Sequence, residues 1–214
     1  TIASLVARAN ASIKLHEQDL NAADSRLGDG DTGGVLARVI GKMAEQDLSG
    51  AADPGAAMSL LARAAASATG SSLGTLLATA LLTMAKETKG QAEIETAALA
   101  ELAGKARDAM MQRGGASLGD KTVLDSVDAA ARALVDANSP AAAVADAAEE
   151  ALVEFRDKTN RIGRARMFGE RQIRRRTMLV GGHVGWPIIF SAVDEICLQG
   201  GKKLAVGQIH GRGA

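Results

Sequence analysis

Asp24-Ser25-Arg26-Leu27-Gly28-Asp29-Gly30-Asp31-Thr32-Gly33-Gly34 is the stretch on which the reading of the fold turns, with three carboxylates set among four glycines. Aspartate oxygens are the hard donors that Mg²⁺ and Ca²⁺ prefer. Glycine lets the chain adopt positive φ and approach a ligand closely. Carboxylates this near one another repel, and a bound cation relieves the repulsion. An acidic surface turn accounts for the same residues, because Asp and Gly are common turn formers. An EF-hand does not. With Asp29 at loop position one, Gly33 falls at position five and Ile40 at position twelve, where that loop needs an oxygen donor and a Glu.

On either side the sequence is helical. Ile2, Leu5, Val6, Ala9 and Ile13 recur at helical spacing before the loop, and Val35, Leu36, Val39, Ile40 and Met43 do so after it. The loop therefore joins two helices. Residues 32–34 fall at the N-terminus of the second, where backbone N–H groups favour an anion. After a turn at 50–55 with Pro54 near a helix start, Met58, Leu60 and Leu61 carry a third helix to Ala68. Thr69-Gly70-Ser71-Ser72-Leu73-Gly74-Thr75 then opens a fourth, with Leu73, Leu76, Leu77, Ala80, Leu81 and Met84 on one face. Its glycines and hydroxyls suit phosphate oxygens, but taken alone the loop is better read as ordinary N-capping by Ser71 or Ser72.

A fifth helix is expected from Ile94 to Met111, after a polar break at 86–91. Residues 113–125, rich in Gly, then lead into a sixth helix carried by Leu124, Val127, Ala131 and Leu134. Within them Gly119-Asp120-Lys121-Thr122 has neither the Gly-Lys-Ser/Thr order nor the earlier glycine of a P-loop, and no strand precedes it. Ser139-Pro140 starts a seventh helix through Phe155. The arginines of Arg164-Ala165-Arg166 follow on a loop. They suit phosphate through the guanidinium fork, or form a solvated basic turn. Residues 188–198 read as a short eighth helix, and 200–214 as a mobile Gly/Lys/Arg tail.

Composition agrees with an all-α fold. Among 214 residues only 2% are aromatic, and the apolar content is mostly Ala, Leu, Val and Met, which favours helices packed through small side chains. One core, and a single domain over 1–214, is the expectation. The 25 basic and 25 acidic residues cancel, so charge makes no case for nucleic acid or an anionic membrane. The basic run Arg174 to Arg176 lacks interleaved aromatics and a nucleic-acid motif. Cys197 is the lone cysteine, no signal peptide or apolar run of spanning length is present, and a cytoplasmic protein is expected. His16, His183 and His210 have no motif context.

Taken together, four blocks resemble the L (nucleotide-binding) domain of dihydroxyacetone kinases. They are Asp24-x4-Asp29-x-Asp31-x-Gly33; Gly70-Ser71-Ser72-x-Gly74; Gly114-x-Ala116-x2-Gly119-Asp120-Lys121-Thr122-x-Leu124-Asp125; and Gly163-Arg164-Ala165 with Gly169-Glu170-Arg171. The resemblance spans residues 24–171, in family order. It implies an antiparallel up-and-down barrel of about eight helices with the nucleotide in loops at one end. It also implies phosphoryl transfer to a short ketose held on a separate K subunit or domain, from ATP or, in one branch, from a phosphotransferase-system protein acting on bound ADP.

By that resemblance Asp24, Asp29 and Asp31 hold two Mg²⁺ ions on ADP or ATP, acting catalytically through the metal. Thr32, Gly33, Gly34 and Val35, with Ser71 and Ser72, cradle phosphates. Gly114 and Val123 border adenine and ribose, and Arg164 pairs with a phosphate. A homodimer or a hetero-oligomer with the K partner is implied, with no nucleic acid and no membrane. Departures are Thr32 where the family often has His, Val123 where it usually has Met, and Thr177-Met178-Leu179 where an Asp-Pro-Gly is expected. Residues 172–214 are therefore read as divergent and partly disordered. The alternatives are a non-catalytic nucleotide-binding regulatory module, and the nucleotide domain of a fatty-acid kinase, whose loop commonly reads Asp-Gly-Asp-Thr-Gly.

Overall fold

A computed structural model describes residues 1–26 and 28–162, and the backbone of Lys203–Leu204. Among the described residues the fold is all-helical, with α1 (Ile2–Asp24), α2 (Thr32–Ala44), α3 (Pro54–Ala68), α4 (Ser72–Glu87), α5 (Leu99–Gly114), α6 (Val123–Ala133) and α7 (Pro140–Phe155). The helix starts obey local chemistry. Thr1 and Ser4 form a capping box on α1, Asp53 caps α3 with Pro54 in its first turn, and Thr122 and Asp125 form a capping box on α6. Each such cap is worth about 1 kcal/mol.

Consecutive helices are neighbours, and their contacts run antiparallel. Gly33, early in α2, lies against Glu17, late in α1, while Gly41 further along α2 lies near Asn10. Gly55 at the start of α3 packs against the Ala85 carbonyl near the end of α4. Leu76 in the first turns of α4 meets Gly114 at the end of α5, and Lys105 of α5 pairs with Glu87 of α4 at 2.6 Å. This is an up-and-down array.

Small side chains make the approaches close. Ala57, Ala62 and Ala65 of α3 and Ala78, Ala80 and Ala85 of α4 are buried. A Cβ on Gly55 would stand 2.5 Å from the Ala85 carbonyl oxygen. One apolar cluster joins α1, α2, α3 and α4 through Val6, Val35, Val39, Met58, Leu61 and Ala78. A second joins α4, α5 and α6 through Ala80, Ala106, Met110, Val123 and Val127.

Up-and-down order sorts the connections. Residues 25–31, 69–71, 115–122 and the chain leaving α7 lie at one end, and 45–53, 88–98 and 134–139 at the other. The first three motif blocks fall at the first end, and the fourth lies outside the described residues.

Two expectations are corrected. The fifth helix begins at Leu99, not Ile94: Ile94–Glu95 pair antiparallel with Lys203–Leu204, and Thr96–Ala98 form a 3₁₀ turn before α5. Ile94 is 1% exposed, so its side chain serves the core from extended backbone. Lys203 and Leu204, assigned to a mobile tail, are the strand partners in that bridge. The eighth helix expected at 188–198, and with it closure into a barrel, lies outside the described residues, as do Cys197, His183, His210 and the basic run at 174–176.

Candidate functional site

α1 continues through Asp24, placing that carboxylate on its last turn and burying it. Asp24 Oδ2 accepts from the Gly30 amide at 3.0 Å and the Asp31 amide at 3.2 Å. The loop is thereby folded back over the end of its own helix. Gly30 has φ +76°, a left-handed turn that suits glycine. The other oxygen of Asp24 lies against Gly28, where a Cβ would stand only 2.1 Å from Oδ1. One oxygen thus anchors the loop and the other faces its glycine-lined interior. The outcome is that Asp24, buried, and Asp29 and Asp31, both exposed, bring one carboxylate oxygen each within 4.8 Å of the others.

Three hard oxygen donors at that spacing, one oriented by backbone amides, fit a divalent cation such as Mg²⁺. The acidic turn and the metal loop, even in the sequence, differ here in one respect. One of the three, Asp24, is buried and fixed by two backbone amides, which an acidic surface turn does not require.

Asn21, one helical turn before Asp24, reaches the next element. Its Oδ1 accepts from the Gly33 amide at 2.8 Å and the Gly34 amide at 3.2 Å. Two N–H groups at the start of α2, which the sequence places around a phosphate, are therefore bonded to α1. Val35 is core: its side chain is 5% exposed and its amide bonds the Asp31 carbonyl within the first helical turn. Thr32 is half-buried at the first position of α2.

At the second loop Ser71 is the N-cap of α4. Its Oγ accepts from the Gly74 amide at 3.1 Å and lies 3.2 Å from the Thr69 hydroxyl. Ordinary capping accounts for Ser71, and Ser72 beside it is exposed. Arg38 of α2 donates to the Ala68 carbonyl at 3.0 Å, tying this loop to α2. Leu73 packs both on the cluster of Leu20, Leu36 and Ile40 and on the cluster containing Val123 and Leu124. The second loop is thus seated between the first and the third.

The third loop is mostly structural. Asp125 accepts from the Gly119 and Thr122 amides, and Asp120 from the Ser117 amide at 2.8 Å. Lys121 is 2% exposed with φ +61°, and its ammonium donates to the carbonyls of Arg156 and Lys158. Burial pushes the Lys121 pKa below its usual value, opposed by the Asp157 carboxylate. The lysine of this half P-loop text therefore points into the fold. Buried Asn160 donates to the Lys121 carbonyl at 3.1 Å, and the Arg161 amide to the Asp120 carbonyl at 3.2 Å. Gly114 ends α5, and buried Val123 opens α6 beside Leu73, Leu76 and Ala116. Arg164 lies outside the described residues, as does the Gly169-Glu170-Arg171 block.

Three helix N-termini, those of α2, α4 and α6, meet at this end, and aligned peptide dipoles favour negative charge there. At α4 the neutral Ser71 cap leaves that field in place, whereas at α2 the N-cap residue is Asp31, whose charge offsets it, and Asn21 bonds the first-turn amides. Asp125 offsets the field at α6. Asn21, Arg38 and Asn160 were not singled out from the sequence, and Lys121 only as part of the half P-loop text. Only Asn21 carried a signal, its spacing of one turn from Asp24 on the same helix face.

An all-helical up-and-down array with three aspartates gathered at its loop end defines the class. Residues 26–186 match the DAK2 domain, and the chain belongs to that family, the L-subunit family of dihydroxyacetone kinases. It is 30% identical over 167 residues to a D-erythrulose kinase of Mycolicibacterium smegmatis, a match covering 73% of this chain and 29% of that protein. Its fold is that of a segment of the C. freundii dihydroxyacetone kinase. The native form superposes with a TM-score of 0.70 at 22% identity, over 91% of this chain and 34% of that one. The form in complex with AMP-PNP and Mg²⁺ gives 0.69 at 22% identity, over 90% and 33%. This chain thus spans about a third of the length of the kinases it matches. No described helix is long and apolar enough to cross a membrane.

Proposed function

We propose that this chain is the phosphoryl-donor half of a dihydroxyacetone-type kinase: a single L-type domain that binds ADP or ATP with Mg²⁺ and acts on a short ketose held by a K subunit or domain. The observation that carries this reading is the convergence of Asp24, Asp29 and Asp31 within 4.8 Å at the loop end of a DAK2 fold. The kinase relatives support the reaction class.

In this reading the three aspartates hold two Mg²⁺ ions on the nucleotide phosphates. Bound there, the metal neutralises phosphate charge and aligns the transferred group, the main sources of acceleration in phosphoryl transfer. The protein's own work is positioning. Asp24 fixes the loop through the Gly30 and Asp31 amides. Thr32 and the exposed Ser72 hydroxyl approach phosphate oxygens, with Ser71 held as the cap behind them. Gly114, lacking a side chain at the end of α5, and Val123 border the base and ribose. Arg164 pairs with a phosphate. The ketose hydroxyl is activated on the K partner, and a phosphotransferase-system donor or free ATP supplies the phosphate. The working assembly is a hetero-oligomer or homodimer in the cytoplasm.

Calorimetric titration of ADP and ATP in Mg²⁺ tests the reading. Binding that disappears without Mg²⁺ and in Asp29→Ala and Asp31→Ala supports it. Unchanged nucleotide binding in those folded variants sinks it. Phosphorylation of a panel of three- and four-carbon ketoses with candidate K subunits then names the acceptor.

A further inference from the structure

Asn21 and Asp24 share one face of α1 and hold the two halves of the loop's exit. Asp24 takes the Gly30 and Asp31 amides, and Asn21 the Gly33 and Gly34 amides. The Gly33 amide is turned towards α1. A Cβ on Gly33 would stand 2.1 Å from the Glu17 carbonyl oxygen and 2.9 Å from Asn21 Oδ1, so no ligand atom fits between the helices there. Asp31 is the N-cap of α2 and makes no cap bond to that helix with its own side chain. Asn21 supplies the acceptor in its stead.

Resting on the metal reading above, we propose that Asn21 is a positioning residue of the carboxylate cluster. By gripping the first turn of α2 it sets where Asp31, two residues before Gly33, stands relative to Asp24. It also retains the Gly33 and Gly34 amides and does not yield them to phosphate. Phosphate oxygens are then met by the metal, Thr32 and the second-loop hydroxyls.

The test titrates Mn²⁺, a spectroscopically visible substitute for Mg²⁺, into the full chain and its Asn21→Ala, Asn21→Asp and Asp31→Asn variants. Backbone amide exchange at Gly33 and Gly34 is measured on the metal-free proteins. Asn21→Ala is expected to weaken Mn²⁺ binding about tenfold, the lower end for losing a group that orients a metal ligand, and to speed exchange at both glycines. Asn21→Asp keeps an acceptor on both amides and adds charge, so it should protect them again and bind Mn²⁺ at least as tightly as the parent. Should Asn21→Ala not fold, Asn21→Gln displaces the same carbonyl by one methylene and takes its place in both measurements. An affinity within twofold of the parent in Asn21→Ala, a loss in Asn21→Asp as large as in Asn21→Ala, or tighter Mg-ADP binding in Asn21→Ala overturns the proposal. Mn²⁺ uptake left unchanged by Asp31→Asn instead sinks the metal reading, and exchange at Gly33 and Gly34 then judges the grip of Asn21 alone.

Discussion

The Lys121 ammonium donates to the Arg156 carbonyl oxygen at 2.9 Å, fastening the loop before α6 to the end of α7 across 35 residues of sequence. A second bond to the Lys158 carbonyl at 2.8 Å completes the grip. Lys121→Met keeps the aliphatic stem but removes the donor and strands two carbonyls. It should lower the unfolding free energy by about 1–3 kcal/mol, the cost of leaving such groups unpaired. Urea unfolding checks this. A value indistinguishable from the parent would show that solvent replaces the ammonium without loss.

The approach of α1 to α2 rests on Gly33, whose added Cβ would stand 2.1 Å from the Glu17 carbonyl oxygen. Backbone cannot yield as a flexible side chain does. Gly33→Ala is expected to cost roughly 2–3 kcal/mol through forced separation of the helices. Gly70→Ala is the control, with nothing within 4 Å of its added Cβ, and should change stability by less than about 0.5 kcal/mol. Equal midpoints for the two variants in urea would refute the close approach.

The seven helices are written in apolar spacing, and their starts in residues such as Asp53-Pro54 and Ser139-Pro140, because caps and periodicity are local physics. Ile94 misleads for the opposite reason. Its apolar side chain continues a helical pattern, while its backbone pairs with Leu204, a contact over 100 residues away that no local rule contains. At the site, the aspartates are readable as ligands because their chemistry and crowding are in the sequence. Which amides remain for a ligand is not readable, since Asn21 claims Gly33 and Gly34 only once α2 has folded back on α1. Lys121 is the sharper case: a lysine among glycines resembles a phosphate ligand, and only its left-handed backbone and burial reveal a clamp.

Gly28 is predicted to be a metal-site glycine in the steric sense. A Cβ there would fall 2.1 Å from Asp24 Oδ1 and 2.7 Å from its carboxyl carbon, so Gly28→Ala must displace the carboxylate. Because the obstacle is the buried carboxylate that accepts from the Gly30 and Asp31 amides, unfolding free energy should fall by about 1–3 kcal/mol. Mg²⁺ affinity should fall at least about tenfold, as ligand displacement implies. The Mg²⁺-dependent rise in Tm measures both at once, since ligand binding to the folded state raises stability with its affinity. An undiminished rise would show that Asp24 reaches the metal from another rotamer.

At the opposite end, Asp53 joins two connections. One carboxylate oxygen accepts from the Ala56 amide at 2.6 Å and caps α3, and the other accepts from the Gly90 amide at 2.9 Å after α4. These bonds, the Ala56 amide foremost, hold the Asp53 pKa below its usual 3.8. A carboxylate with a depressed folded-state pKa stabilises the fold fully above its unfolded value. That contribution fades as pH falls below 3.8 and through the lower folded-state value. Asp53→Asn retains an acceptor for Ala56 but does not titrate. The gap in urea midpoint between the parent and Asp53→Asn should therefore be widest near about pH 5 and shrink steadily towards about pH 2.5. A gap independent of pH would mean that the charge on Asp53 contributes nothing beyond what a neutral amide supplies at that cap.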